Sequence, residues 1–169
     1  MEGFSSITSS DLKINPFKLI GKDWMLITSG KMDSFNTMTA SWGGLGVLWN
    51  KEVATIYVRP SRYTYEFIER EKNFTLSFFD ETHRNALNLC GTKSGRDTDK
   101  VKETGFKPVE TPKGSVAFSE AITVIECSKL YSQDMDPSRF LEGFIEKNYN
   151  GRDYHRMYIG EIVNIFTRK

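Results

Sequence analysis

What narrows the fold most is the placement of β-branched and aromatic residues. They come in short runs of the kind strands favour, and the helical patterns do not alternate with them. Trp24–Thr28, Val53–Val58 and Phe74–Phe79 are three such runs, each flanked by Gly, Asn, Asp or Pro. Two longer runs, Ile122–Tyr131 and Met157–Phe166, predict long strands with one wet face. Helical spacing is confined to Thr64–Glu71, to residues 83–89 and to Pro137–Tyr149, where Phe140, Leu141, Phe144 and Ile145 recur at helical intervals. Strand runs without intervening helices exclude a doubly wound sheet and predict a closed antiparallel β-barrel with peripheral helices.

A chain of 169 residues is enough for one buried core without metal or disulfide staples, so residues 1–169 are expected to form one domain. Glu110–Gly114 reads as a turn, not a linker. With 23 Lys+Arg against 22 Asp+Glu, the net charge of +1 gives no field for steering toward nucleic acid or a membrane surface, so any anion must be held locally. Cys90 and Cys127 lack CxxC or zinc-ligand spacing, which fits a reducing compartment, with the cytoplasm as the expectation. No apolar leader and no run near the ~18 to 20 apolar residues of a membrane span is present.

Gly43-Gly44-Leu45-Gly46 lacks the spacing of a dinucleotide or P-loop motif. The two histidines, His83 and His155, stand in no hydrolase or zinc-protease motif, and no metal site is expected. Three segments carry more. Asn36, Thr37, Met38, Thr39, Ala40, Ser41 and Trp42 form a run of mostly small and hydroxyl-bearing residues. Such a run suits a flat heteroaromatic ring with polar edges, or else an ordinary strand with its hydroxyls in water. Arg59, Ser61, Arg62, Tyr63 and Thr64 lie between a strand and a helical pattern. They read as a phosphate receptor, or as a solvated Arg pair with Ser61 or Thr64 capping the helix. Ser94, Gly95, Arg96 and Lys100 belong to a loop that also carries Asp97 and Asp99. Its cations complete an anion site, or it is a mobile charged loop. Pro60 stiffens the first cationic segment, so Arg62 is expected to dominate anion binding and Lys100 to contribute little. His155, at the entrance to the last strand, suits proton transfer near neutral pH or a plain polar strand end. Cys90 reads as a small buried hydrophobe rather than a redox thiol.

In order along the chain, Asn36–Gly46, Val58–Thr64, Phe74–Phe78, Ser94–Lys100 and Asp153–Ile162 resemble the flavin reductase-like, flavoredoxin-type proteins over residues 17–166. No single block is decisive, but five in sequence are specific. The resemblance implies a split β-barrel of Greek-key type that binds FMN and forms a homodimer, with the flavin near the subunit interface. It implies that Asn36–Trp42 lie along the isoalloxazine, that Arg59–Thr64 hold the phosphate, and that Ser94–Lys100 close over the ribityl-phosphate end. It further implies NAD(P)H as co-substrate with hydride transfer to flavin N5, or a carrier that keeps its FMN and exchanges electrons with a protein partner, or a barrel that binds flavin without turnover. His155 matches a position on the nicotinamide side, although Tyr154 separates it from Asp153.

Overall fold

The computed structural model describes residues 1–168. The elements are β1 (Phe4–Ile7), α1 (Pro16–Lys18), β2 (Met25–Lys31), β3 (Ser34–Ala40), β4 (Gly43–Leu48), β5 (Lys51–Val58), α2 (Tyr63–Arg70), β6 (Asn73–Phe78), α3 (Arg84–Thr92), α4 (Lys100–Thr104), β7 (Pro108–Glu110), β8 (Val116–Phe118), β9 (Thr123–Asp134), α5 (Gly143–Glu146) and β10 (Arg156–Arg168). Among the described residues one eight-stranded sheet runs in the order β3-β2-β6-β9-β10-β5-β4, with β1 also paired to β10 and every pairing antiparallel. The β7–β8 hairpin stands apart, and the predicted turn at Glu110–Gly114 lies within it.

β3 and β4 are consecutive in sequence, separated only by Ser41 and Trp42, yet they sit at opposite ends of the strand order. A link of two residues reaches across the whole sheet only if the sheet rolls up. It does so without hydrogen bonding β3 to β4, so the closed barrel expected from periodicity is corrected to a split one. The fold is mainly β, a split barrel with peripheral helices, and its seam lies at Ser41–Trp42.

Two layers of core explain the unalternating runs. Met25, Ile27, Ile56, Phe74, Leu76, Ile125 and Tyr158 fill the barrel. Leu26, Leu87, Phe106, Phe118 and Val124 pack on its outer side, beneath α3 and the β7–β8 hairpin. β2 and β6 are therefore buried on both faces and lose period-two patterning. Curvature needs room at Gly160, where a Cβ would come within 2.7 Å of the Phe74 ring. Register shifts in β10 between Ile159 and Gly160 and again between Ile162 and Asn164 let the long β9–β10 pair bend there.

The predicted helix over Pro137–Tyr149 is not continuous. A 3-10 turn at Pro137–Arg139, started by Asp136 accepting from Ser138, is followed by the one-turn α5. Leu141 and Phe144 are 94% and 64% exposed, so the apolar stripe has no core to face. Gly143 interrupts the segment, and Phe140 turns back to stack on Tyr149 at 5.8 Å between centroids.

Candidate functional site

β3 is an edge strand, which leaves one row of backbone groups unpaired by the sheet. Thr37 O faces away from β2, since it accepts from Lys100 Nζ at 2.7 Å. Antiparallel alternation turns the N–H and C=O of Thr39 the same way. A groove follows this edge in two compartments that share Met38 and Arg62.

The compartment at the seam, of about 150 Å³, is floored by Met38, Thr39, Ala40, Ser41 and Trp42 and walled by Tyr57, His155 and Arg59. The other, of about 140 Å³, lies among Asn36, the start of α2 at Ser61, Tyr63 and Thr64, the residues Thr92 to Gly95, and Lys100. Arg62 is the N-cap residue of α2 but supplies no side-chain cap, and neither Ser61 nor Thr64 caps the helix. Thr64 Oγ1 instead accepts from Asn36 Nδ2 at 2.7 Å. The N–H groups of Tyr63 and Thr64 have no side-chain cap, and both residues line this compartment. Gly95 packs here because a Cβ would fall on the Asn36 amide.

The cations divide the work. Lys100 is not a loop charge: it opens α4, is buried, and donates to Thr37 O at 2.7 Å and Cys90 O at 2.9 Å. Among the described residues no carboxylate pairs with it. Burial lowers its pKa from the ordinary lysine value, and the nearby Arg62 adds to that pull. Asp99, the residue before it, caps α4 by accepting from Lys102 N. Arg62 reaches Gly91 O at 3.0 Å. Arg96 turns out of both compartments, pairs with Glu66 and lies over the Tyr63 ring. The Thr37 side chain also lies outside, bonded to Thr28 at 2.8 Å.

Arg59 and Ser61 are already engaged. Asp153 accepts from Ser61 N at 3.0 Å and Ser61 Oγ at 2.6 Å, and Arg59 lies 3.9 Å from the same carboxylate. Arg59 also donates to Asn148 O at 2.7 Å and lies over the Tyr149 ring. The chain between β9 and β10 is thereby held over the seam compartment. It brings the Tyr149 hydroxyl to 2.9 Å from His155 Nδ1, while the Trp42 ring lies 5.3 Å from the imidazole. Burial, with Arg59 and Arg62 nearby, pushes the His155 pKa down to about 4, so the ring is neutral at pH 7. Burial pushes the Cys90 thiol up to about 11, which leaves it protonated and inert.

Tyr57, Lys93, Tyr149 and Asp153 belong to this site and were not singled out from sequence. Tyr57 had a visible signal: it alternates between buried Ile56 and Val58 on β5 and so faces the other side. Asp153 had none, since its role depends on a contact 92 residues away. Among the described residues no group of three or more His, Cys, Asp or Glu is placed to hold a metal, and no helix is long and apolar enough to cross a membrane.

A split barrel with a cationic groove along one edge strand defines the class. The chain matches the family model described as flavin reductase like domain over residues 18–169, and it belongs to that family. Flavoredoxin of Desulfovibrio vulgaris (Miyazaki F) is similar at 22% identity and a TM-score of 0.68, over 86% of this chain and 69% of that one. An FMN-binding domain of a flavin reductases-like enzyme from Shewanella baltica OS155 is similar at 14% identity and a TM-score of 0.71, over 98% and 77% of the two chains. An NADH:FAD oxidoreductase of Streptomyces globisporus C-1027 is similar at 16% identity and a TM-score of 0.65, over 87% and 75%. No curated protein matches the chain.

Proposed function

We propose that the protein is an FMN-binding oxidoreductase that takes hydride from NAD(P)H. The observation that carries this reading is the polarity of the groove. One end holds Lys93 and the buried Lys100 beside the first turn of α2, Arg62 stands where the two compartments meet, and the other end is lined by Ala40, Trp42 and Tyr57 with Arg59, whose guanidinium is held by Asn148 O and Asp153. That donor set suits a phosphate at the first end and a flat ring at the second. Asn36, Thr92 and Ser94 line the same compartment as Lys93 and Lys100 and offer polar partners for a polyol chain. Bound FMN supplies the two-electron chemistry.

The chain's own residues bind and orient. The outward N–H of Thr39 is set to stabilise negative charge on a ring edge. His155, neutral and tied to Tyr149, acts as a wall and a hydrogen-bonding group rather than a cation. Arg59 and Ser61 hold Asp153, so the phosphate falls to Arg62, Lys93 and Lys100.

Purified protein with bound flavin is expected to lose its yellow absorption on anaerobic addition of NADH or NADPH. A second reading, an electron carrier serving a protein partner, draws on Trp42, which is partly exposed beside the ring compartment. Flavin that stays oxidised with both nucleotides, yet is reduced by a protein donor, selects the carrier. Nothing in the groove marks an adenylate pocket, so FMN is expected to bind more tightly than FAD in a titration.

A further inference from the structure

Past Trp42 the ring compartment meets another depression, of about 460 Å³, that the flavin reading leaves unused. The two share Ser41, Trp42 and Tyr57. The new walls are Phe17 and Ile20 from the turn at α1, Leu45 of β4 and Met135 at the end of β9. No Arg, Lys, His, Asp or Glu lines it. The other end of the flavin groove carries three cations, and a larger hollow beside Asp33, Arg96, Asp97 and Lys102 is charged with both signs.

Its volume lies in the range that holds a small organic ligand. At its rim Phe17 is 86% exposed. Asn15 accepts from the backbone N–H groups of Phe17 and Lys18, so the turn that carries this ring is fixed although the ring covers nothing. A dinucleotide seated here would find no cation for its phosphates, and a charged substrate would lose hydration without gaining a partner. We infer that this depression receives a neutral, flat second substrate, of the aromatic or quinone-like class, against the Trp42–Tyr57 wall of the ring compartment. The inference rests on the flavin reading for what lies on the other side of that wall.

Calorimetric titration of the full chain, with and without FMN, tests it with two probes that differ in one charge: 2-naphthol and 2-naphthol-6-sulfonate. The expected result is binding of 2-naphthol, with the sulfonate roughly tenfold weaker or worse. Met135→Lys is expected to abolish or reverse that preference. Phe17→Ser, which alters an exposed side chain, is expected to weaken 2-naphthol several-fold without unfolding the protein. Equal affinity for both probes, or no heat from 2-naphthol, overturns the proposal. So does binding that appears only in a monomeric variant, since the pocket would then belong to a second copy of the chain. FMN affinity is measured separately by quenching of flavin fluorescence, so its loss with 2-naphthol binding intact sinks the flavin reading alone.

Discussion

His155 and Lys100 are both buried ionisable side chains, and they meet burial in opposite ways. His155 gives up its charge. Its folded pKa of about 4 lies below the ordinary 6.5, so between those values the unfolded chain binds a proton that the native state refuses. The stability this group contributes is complete above the ordinary value and drains away as the pH falls toward the folded one, by roughly 3 kcal/mol in all. Urea unfolding of the wild type is expected to show that loss between pH 7 and pH 4, and His155→Gln to remove most of it; identical slopes would refute the desolvation of His155. Lys100 keeps two carbonyl partners instead. Lys100→Met leaves Cys90 O without its side-chain donor and Thr37 O with only the long 3.4 Å bond from Asn36 Nδ2, and is expected to cost about 2 kcal/mol in unfolding experiments. Its sequence neighbourhood suggested a loop cation with a minor part in anion binding; the two carbonyl bonds add a structural part that the sequence reading did not include. The clue was present, because Asp99 ahead of a short helical stretch and Gly105 after it, at φ 72°, mark the cap and stop of α4. Arg62→Ala is expected to weaken FMN binding by about 2 kcal/mol, as for a lost charge-assisted pair, and riboflavin binding much less. An equal loss for both ligands in fluorescence titrations would remove Arg62 from the phosphate.

The elements that sequence described well are those whose pattern comes from local chemistry. β5, β6, β9 and β10 lie where runs of β-branched and aromatic residues predicted them, and α2 and α3 where helical spacing did. The segment joining β9 to β10 is different, because its shape is set by distant partners. Asn148, Tyr149 and Asp153 are held by Arg59 and Ser61, and the reversal into β10 uses left-handed backbone at Asn150, Gly151 and Asp153. The apolar spacing of Phe140, Leu141, Phe144 and Ile145 could not report this. Asp153→Ala removes both bonds to Ser61 at once. Its expected effect is about tenfold faster amide exchange at Ser61 and across residues 148–153, with the barrel strands unchanged. Uniformly faster exchange throughout the protein would mean that Asp153 supports the whole fold instead.

Barrel architecture was legible in the periodicity, but its opening only through the family resemblance, since no strand pattern tells whether the last pair of edges bonds. That opening leaves two unpaired edges with different company. β3 is covered by α3 and fronts the groove, whereas β4 shows Val47 and Leu48 to solvent and the turn after it shows Trp49, whose ring lies near Tyr131. An apolar edge of this kind favours pairing with a second copy. Sedimentation is expected to give twice the monomer mass, and Val47→Lys to shift the protein to monomer; a wild-type monomer with full flavin affinity at micromolar concentration would contradict the homodimer. The neck between β9 and β10 has its own consequence. Their ladder runs to Arg156 opposite Asp134, and Met135 N donates to His155 O one rung beyond, at 2.9 Å. Everything from residue 136 to 154 therefore leaves and re-enters the barrel at a single closed doorway. It is an exchangeable cassette: a tight turn spliced in its place should leave the strands in register, and a foreign loop there would give the same barrel a different roof.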